Sequence, residues 1–297
     1  MTTSDRTSAY VLITPARNEG KFIRGAIESM VAQTEPPLRW VIVSDASTDD
    51  TDDIVKEQMK KTPWIELVQL PQAGPRDFGG KVRAFNAGYD RVRDLDYAYI
   101  GNLDGDLTFD PDHFEFLLDK FALHPEHGLM GTTYIDIGKE AGDEMTRNSQ
   151  HVPGACQLFR REAFEAIGGY TPLPTGGIDL LAELACRQAG WKSHAYSERT
   201  LIHYRPVGTA TRGIYASKFN YGYRDYYFGG DPLWQVLRVV NQLRHRPFII
   251  GGLCILAGYI WGHVMRKPSP VPPEVRRFLR SEQRARITKM FRRRAVS

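Results

Sequence analysis

Short apolar runs that stop at polar loops, separated by stretches with helical spacing, constrain this chain more than any other feature. Tyr10-Val11-Leu12-Ile13 and Trp40-Val41-Ile42-Val43 are such runs, and between them Phe22, Ile23, Ala26, Ile27, Met30 and Val31 recur on one helical face. A strand, a helix and a strand in that order make a βαβ unit with parallel strands. The spacing then predicts a helix over roughly 50–61, a strand over roughly 65–70, a helix over roughly 80–93 and a strand ending at Leu103. Continuous apolar strands need cover on both faces, so the expected fold is α/β, a mainly parallel mixed sheet covered by helices. Beyond residue 126 the pattern is mixed. Strands are expected at Leu129–Tyr134 and around Ala155–Phe159, with helices at Glu162–Ile167 and from Asp179 to about Ala189.

In such sheets ligands bind at the carboxyl ends of strands. Arg17-Asn18-Glu19, Asp45 and Asp104-Gly105-Asp106 all follow strand ends, so one rule gathers three distant segments into one crevice. Asp104 and Asp106, one residue apart behind a buried strand, suit a hard divalent cation, Mg²⁺ or Mn²⁺, completed by phosphate oxygens of a substrate. The bland alternative is an Asp-Gly turn. There is no Gly-x-Gly-x-x-Gly segment and no Walker-type loop, which disfavours dinucleotide enzymes and P-loop NTPases.

The motifs resemble, in order, those of the family 2 glycosyltransferases, inverting sugar-nucleotide enzymes of the GT-A fold. Thr14-Pro15-Ala16-Arg17-Asn18-Glu19 is similar to the first nucleotide loop, and the segment from Ser44-Asp45 to Thr51 is similar to the second. Gly80-Lys81 with Asn86-Ala87-Gly88 resembles the third, and Asp104-Gly105-Asp106 the metal-binding pair. Gly154-Ala155-Cys156 with Phe159-Arg160-Arg161 resembles the acceptor segment, and Ile178-Asp179 with Ala189-Gly190-Trp191 the Glu-Asp region. The resemblance implies that Pro15, Arg17, Glu19, Asp45, Lys81 and Asp104 bind a nucleoside-diphosphate sugar of UDP or GDP type, with Asp45 at the base. It implies a metal at Asp106 and Asp104 with His203 as a third ligand, and Asp179 as the catalytic base that takes the proton of an acceptor hydroxyl. One departure stands out: Ile178 replaces the family's Glu. Against these roles stand ordinary ones, a turn for Asp45, a solvated lysine for Lys81, a helix N-cap for Asp179 and a structural histidine for His203. Arg212, Lys218 and Arg224 lie in a Tyr- and Gly-rich stretch that suits a lid or acceptor loop.

The chain carries a net charge of +4, but from Arg266 onward eleven Lys/Arg face only Glu274 and Glu282, a tail of +9 behind a body of −5. Ahead of that tail, Phe248–Val264 is apolar, near the minimum length for a bilayer span, interrupted by glycines and flanked by Arg244, Arg246, Arg266 and Lys267. The two segments are expected to form a C-terminal helical extension that associates with an anionic membrane, as a peripheral, re-entrant or single-pass element. A nucleic-acid tail is the rival, and no base-reading fold accompanies it. Three scattered cysteines form no disulfide framework, and the N-terminus has no apolar signal region, so the cytoplasmic face of the cell membrane is expected. The expected domains are a flexible segment 1–8, a catalytic domain 9–230 with its nucleotide half to about 110 and its acceptor half beyond, and the extension 231–297. The expected function is transfer of a sugar to a glycan or lipid-linked acceptor in envelope polysaccharide or glycolipid synthesis. The rivals are a polyprenyl-phosphate sugar synthase and a non-catalytic sugar-nucleotide-binding scaffold.

Overall fold

The computed structural model describes residues 9–71, 78–137, 149–205 and 213–295. Arg212 and segment 1–8 lie outside the described residues. The chain divides into two compact units, residues 1–170 with 178–206, and residues 171–177 with 207–297.

The first unit opens with β1 (Tyr10–Ala16), α1 (Ile23–Val31), β2 (Arg39–Asp45), α2 (Thr51–Met59), β3 (Ile65–Leu70), α3 (Phe78–Val92) and β4 (Tyr99–Leu103). The four strands pair in parallel in the order β3-β2-β1-β4. Leu12, Ile42 and Ile100 are wholly buried, as continuous apolar runs require when helices cover both faces. Glycines allow the closest contacts: a Cβ on Gly88 of α3 would lie 2.6 Å from the Ile13 side chain on β1.

After β5 (Leu107–Thr108) and α4 (His113–Leu123) come β6 (His127–Asp136), β7 (Cys156–Arg160), α5 (Arg161–Ala166), α6 (Ile178–Gln188) and β8 (Lys192–His203). β7 runs antiparallel to β4 and β6, whereas β6 and β8 are parallel, so the eight-stranded sheet β3-β2-β1-β4-β7-β6-β8-β5 is mixed. Three elements were not anticipated, the two-residue β5, α4 and the long strand β8. Strand β8 alternates polar and apolar residues with a break at Ser197–Arg199, where the register with β6 shifts, and this irregularity hides it from a search for continuous apolar runs.

The second unit is helical: α7 (Ile214–Phe228), α8 (Pro232–Gln242), α9 (Ile250–Met265) and α10 (Pro273–Ala295). The stretch holding Lys218 and Arg224 is thus a helix and not a loop; Gly229, at φ 59°, ends it in the left-handed conformation. Asp231 caps α8, accepting from Leu233 N at 2.9 Å, with Pro232 at the first helical position. Helices α7 and α9 touch backbone to backbone. A Cβ on Gly222 would fall 1.8 Å from the Ile255 carbonyl oxygen, and one on Gly258 1.9 Å from that of Phe219. The glycines of the apolar segment are therefore its packing face. Among the described residues no helix is long and apolar enough to cross a membrane.

Candidate functional site

The carboxyl ends of β1, β2 and β4 point the same way because the strands are parallel, and β6 and β8 bring two more strand ends to the cluster. Asp104 leaves β4 with its N–H donating to Ala155 O at 2.8 Å. Its Oδ1 accepts from Lys81 Nζ at 2.6 Å and from Asn102 Nδ2 at 3.1 Å. Burial raises the Asp104 carboxyl above its ordinary pKa even with Lys81 opposing it, while Lys81, whose burial acts the other way, is raised by the same pair. Lys81 is thus a half-buried partner of Asp104 and not a freely solvated lysine.

Asp106 is buried, and its Oδ1 lies 3.6 Å from His203 Nε2. The other ring nitrogen, His203 Nδ1, is 2.7 Å from Asp136 Oδ1. Strand register produces this arrangement, because Asp136 and His203 are partners at the ends of β6 and β8. Burial would raise the Asp106 pKa, but His203 and Arg205 together hold it below the ordinary value; burial would lower that of His203, but Asp106 and Asp136 raise it. Arg205 donates to both oxygens of Glu19, at 3.0 and 2.6 Å, and its Nε is 3.8 Å from Asp106 Oδ2. Burial, reinforced by Asp106 and Asp104, pushes Glu19 up to about 7 against the pull of Arg205. The backbone here admits little change: a Cβ on Gly105 would lie 2.9 Å from Ile23 Cδ1.

The loops that follow β1 and β2 are laced together. Asn18, at φ 57°, accepts from Thr48 N at 2.8 Å and donates its own N–H to Ser47 Oγ at 3.1 Å. Gly20 N donates to Asp49 Oδ2, and Glu19 N to Thr51 Oγ1. Arg17 Nη1 stands 3.5 Å from Asp45 Oδ2, and Pro15 opposes Val43 in the β1–β2 register.

Asp179 lies in the first turn of α6, one residue past the helix start at Ile178, so it does not occupy the N-cap position. Its carboxylate lies against Gly154, where a Cβ would come within 2.7 Å of Oδ2. Gly154 O in turn accepts from Asn102 Nδ2 at 2.9 Å. The Gly154-Ala155 segment therefore bridges Asp104 and Asp179, and Asp179 also bears electrostatically on Lys81. By contrast, Glu183 on the same helix is wholly engaged in structure, accepting from Val152 N at 3.1 Å and paired with His151 and Arg187.

Three site members, Asp136, Arg205 and Asn102, were not singled out from the sequence. Asp136 obeys the strand-end rule that marked Asp45 and Asp104, but the sequence pattern ends its strand two residues early. As residue types, two carboxylates and an imidazole fit a divalent cation, and the imidazole favours Mn²⁺ over Mg²⁺; Asp106 and His203 stand 3.6 Å apart, whereas Asp104 is turned to Lys81 and its oxygens are not gathered with theirs. His203 would present Nε2 to the ion with Asp136 fixing its tautomer, the arrangement usual for metal-bound histidines.

The sequence profile of Glycosyl transferase family 2 matches residues 11–168. The hyaluronan synthase of Pasteurella multocida is 27% identical over 136 residues, which is 46% of this chain and 13% of that synthase. The chain thus corresponds to a small part of this relative. Among solved structures, S. aureus TarS 1–349 in complex with UDP-GlcNAc aligns with a TM-score of 0.56 at 16% identity, over 86% of this chain and 73% of TarS 1–349. The mannosyltransferase PcManGT from Pyrobaculum calidifontis, in complex with GDP-Man and Mn²⁺, aligns with a TM-score of 0.56 at 17% identity, over 97% of this chain and 80% of PcManGT. These two structural likenesses establish the GT-A fold. With the profile spanning more than half its length, the chain belongs to glycosyl transferase family 2.

Proposed function

We propose that this family 2 glycosyltransferase moves a sugar from a nucleoside-diphosphate sugar to an acceptor hydroxyl with inversion at the anomeric carbon. The observation that carries the reading is the set of paired charges at the strand ends, Lys81 with Asp104, Arg205 with Glu19, and His203 between Asp106 and Asp136, with Asp179 across Gly154. Pro15, Arg17 and Asp45 would hold the nucleoside, and Lys81 and Arg205 the diphosphate. Asp106, Asp104 and His203 would hold Mn²⁺ or Mg²⁺, which when bound neutralises charge on the diphosphate as a Lewis acid. Asp179 accepts the acceptor's proton as the acceptor oxygen bonds to the anomeric carbon; the bond from that carbon to the diphosphate oxygen breaks, and its electron pair leaves with the nucleoside diphosphate. The Ile178 replacement supports a second reading, in which a polyprenyl phosphate is the nucleophile and needs no strong base.

A membrane-surface role rests on the second unit. Opposite its glycine face, α9 exposes Leu253, Leu256, Ile260, Trp261 and Val264, with Ile260 51% and Val264 65% exposed, and α8 exposes Leu233, Val236 and Val240. At about 1.5 Å per residue α9 is roughly 24 Å long, short of the roughly 30 Å hydrocarbon core, so it suits an interfacial position rather than a span. The basic α10 adds attraction to anionic lipid, and the cytoplasmic face and an envelope glycan or glycolipid acceptor follow as parts of the same proposal. A thermal-shift panel of nucleotide sugars with and without Mn²⁺ tests the donor reading, since ligand at a hundred times its Kd adds about 2.7 kcal/mol. If no nucleotide sugar stabilises the protein in a Mn²⁺-dependent way, the reading fails.

A further inference from the structure

We propose that His124, Glu126 and His127 form a second metal site, for a borderline divalent ion such as Zn²⁺, at the end of the sheet opposite the Asp104–Asp106 pair. One ligand atom from each of the three lies within 4.8 Å of the others. His124 Nδ1 and His127 Nδ1 stand 3.8 and 3.5 Å from the same Glu126 Oε1. Tetrahedral coordination with bonds of about 2.1 Å sets neighbouring ligand atoms about 3.4 Å apart, so the cluster is within a few tenths of an ångström of a chelating geometry at that oxygen.

Independent of the clustering, His127 is 9% exposed, and its Nδ1 makes no hydrogen bond. A buried ring nitrogen without a hydrogen bond is costly, and a metal ion supplies the missing partner.

The backbone is fixed around these groups. His127 N donates to His124 O at 3.1 Å, closing a tight turn after α4, and Lys192 N donates to Glu126 O at 2.9 Å. Arg160 Nη2 donates to His124 O at 3.3 Å, and Arg160 Nε to His127 O at 3.1 Å. Two imidazoles and one carboxylate are a donor set for Zn²⁺, Co²⁺ or Ni²⁺ more than for Mg²⁺. Water fills the fourth position, or His194 does, whose ring centroid is 5.9 Å from that of His127. Strand β6 runs from His127 at this end to Asp136 at the other, which separates the two sites by on the order of 30 Å. A bound ion would pin the end of α4 to the starts of β6 and β8. The rival is plain ion pairing, in which Lys192 Nζ, 3.5 Å from Glu126 Oε1, neutralises the carboxylate and no metal enters.

The test is equilibrium dialysis of the full chain with Zn²⁺ and visible spectroscopy with Co²⁺, on the wild type, Asp106→Ala, His124→Ala, Glu126→Gln and the double variant Asp106→Ala/His124→Ala. Asp106→Ala removes the first site, so a Zn²⁺ equivalent and a tetrahedral Co²⁺ spectrum that persist in it report the second. Both should be lost in Asp106→Ala/His124→Ala, with Mn²⁺-dependent nucleotide binding unchanged in His124→Ala alone. His124 is partly exposed, so its replacement should leave the fold intact, and circular dichroism checks this. Zn²⁺ stoichiometry unaltered by His124→Ala and by Glu126→Gln, or lost entirely with Asp106→Ala, would overturn the proposal.

Discussion

The first unit hides its apolar residues in the strands and gathers its charges where those strands end; the second turns glycine inward along α9 and leaves Leu253, Ile260, Trp261 and Val264 outside. Both follow from close packing. In the sheet, side chains fill the space between layers, so charged groups survive only at the open ends, paired with one another. In the helical unit the backbones of α7 and α9 touch at Gly222 and Gly258, so no side chain fits there, and apart from Ile255 the large apolar residues of α9 are partly or largely exposed. Function in the first unit is therefore expected to depend on a few individual groups, and in the second on a surface.

The comparison is challenged most severely at Asp106. Asp106→Ala should abolish Mn²⁺-dependent nucleotide affinity and lower turnover by about 10²–10³-fold or more, because few other protein ligands remain to hold the ion. A folded variant with unchanged Mn²⁺-dependent affinity, read by calorimetry, would remove the metal-site reading. Next, Asp179→Asn should leave donor affinity nearly intact and cut kcat by at least about a hundredfold with a neutral acceptor. If kcat is retained within a few fold, another group is the base or the nucleophile is an anion.

In the second unit, Gly258→Ala drives a methyl into the Phe219 carbonyl oxygen. The gain of up to about 1 kcal/mol in helix propensity is outweighed by overpacking against backbone, and a net loss of about 2–3 kcal/mol is expected in urea unfolding. Gly251→Ala is the control. There a Cβ would meet only the flexible Gln242 Nε2 at 3.2 Å and the Pro247 ring at 3.4 Å, so stability should hold or rise. Replacing Leu256 and Ile260 with Asp should leave nucleotide binding unaltered and weaken sedimentation with anionic vesicles by at least about tenfold, since each apolar side chain buried is worth about 1.5–3 kcal/mol. Equal vesicle binding by wild type and variant would show that the surface is not a lipid contact.

The smallest effect is expected at His151. Its hydrogen bond to Glu183 outweighs burial and raises its pKa in the folded protein. The stabilisation is then fully present below the unfolded value of about 6.5 and lost as pH rises through the raised folded value. His151→Gln should lower stability by on the order of 1 kcal/mol at pH 5.5 and scarcely at pH 9, measured by urea midpoints. A difference independent of pH would mean that packing, not the ion pair, is what His151 supplies.

The first half of the chain was legible because β1 and β2 are continuous apolar runs, β3 and β4 are short and largely apolar, and the polar loops follow β1, β2 and β4 directly. Asp45 and Asp104 could be located by counting from Val43 and Leu103. Beyond β4 the reading was partial: β6, β7, α5 and α6 stand where the pattern placed them, whereas β5, α4 and β8 are absent from it. Strand β8 is interrupted at Ser197–Arg199, and α4 mixes His113 and Lys120 into its sequence, so neither presents a clean period.

Local sequence determined the alternation of elements, the parallel first half of the sheet, the strand-end placement of Arg17, Asp45, Asp104 and Asp106, and the charge divide at Arg266, because periodicity and charge are properties of neighbouring residues. Tertiary structure alone decided that Asp136 stands beside His203, that Arg205 grips Glu19 from 186 residues away, and that Gly154 lies against Asp179. It also decided that the glycines of α9 are a contact face. Those pairings depend on strand register and helix crossing, which are set by how whole faces fit together and leave no signature in the spacing of adjacent residues.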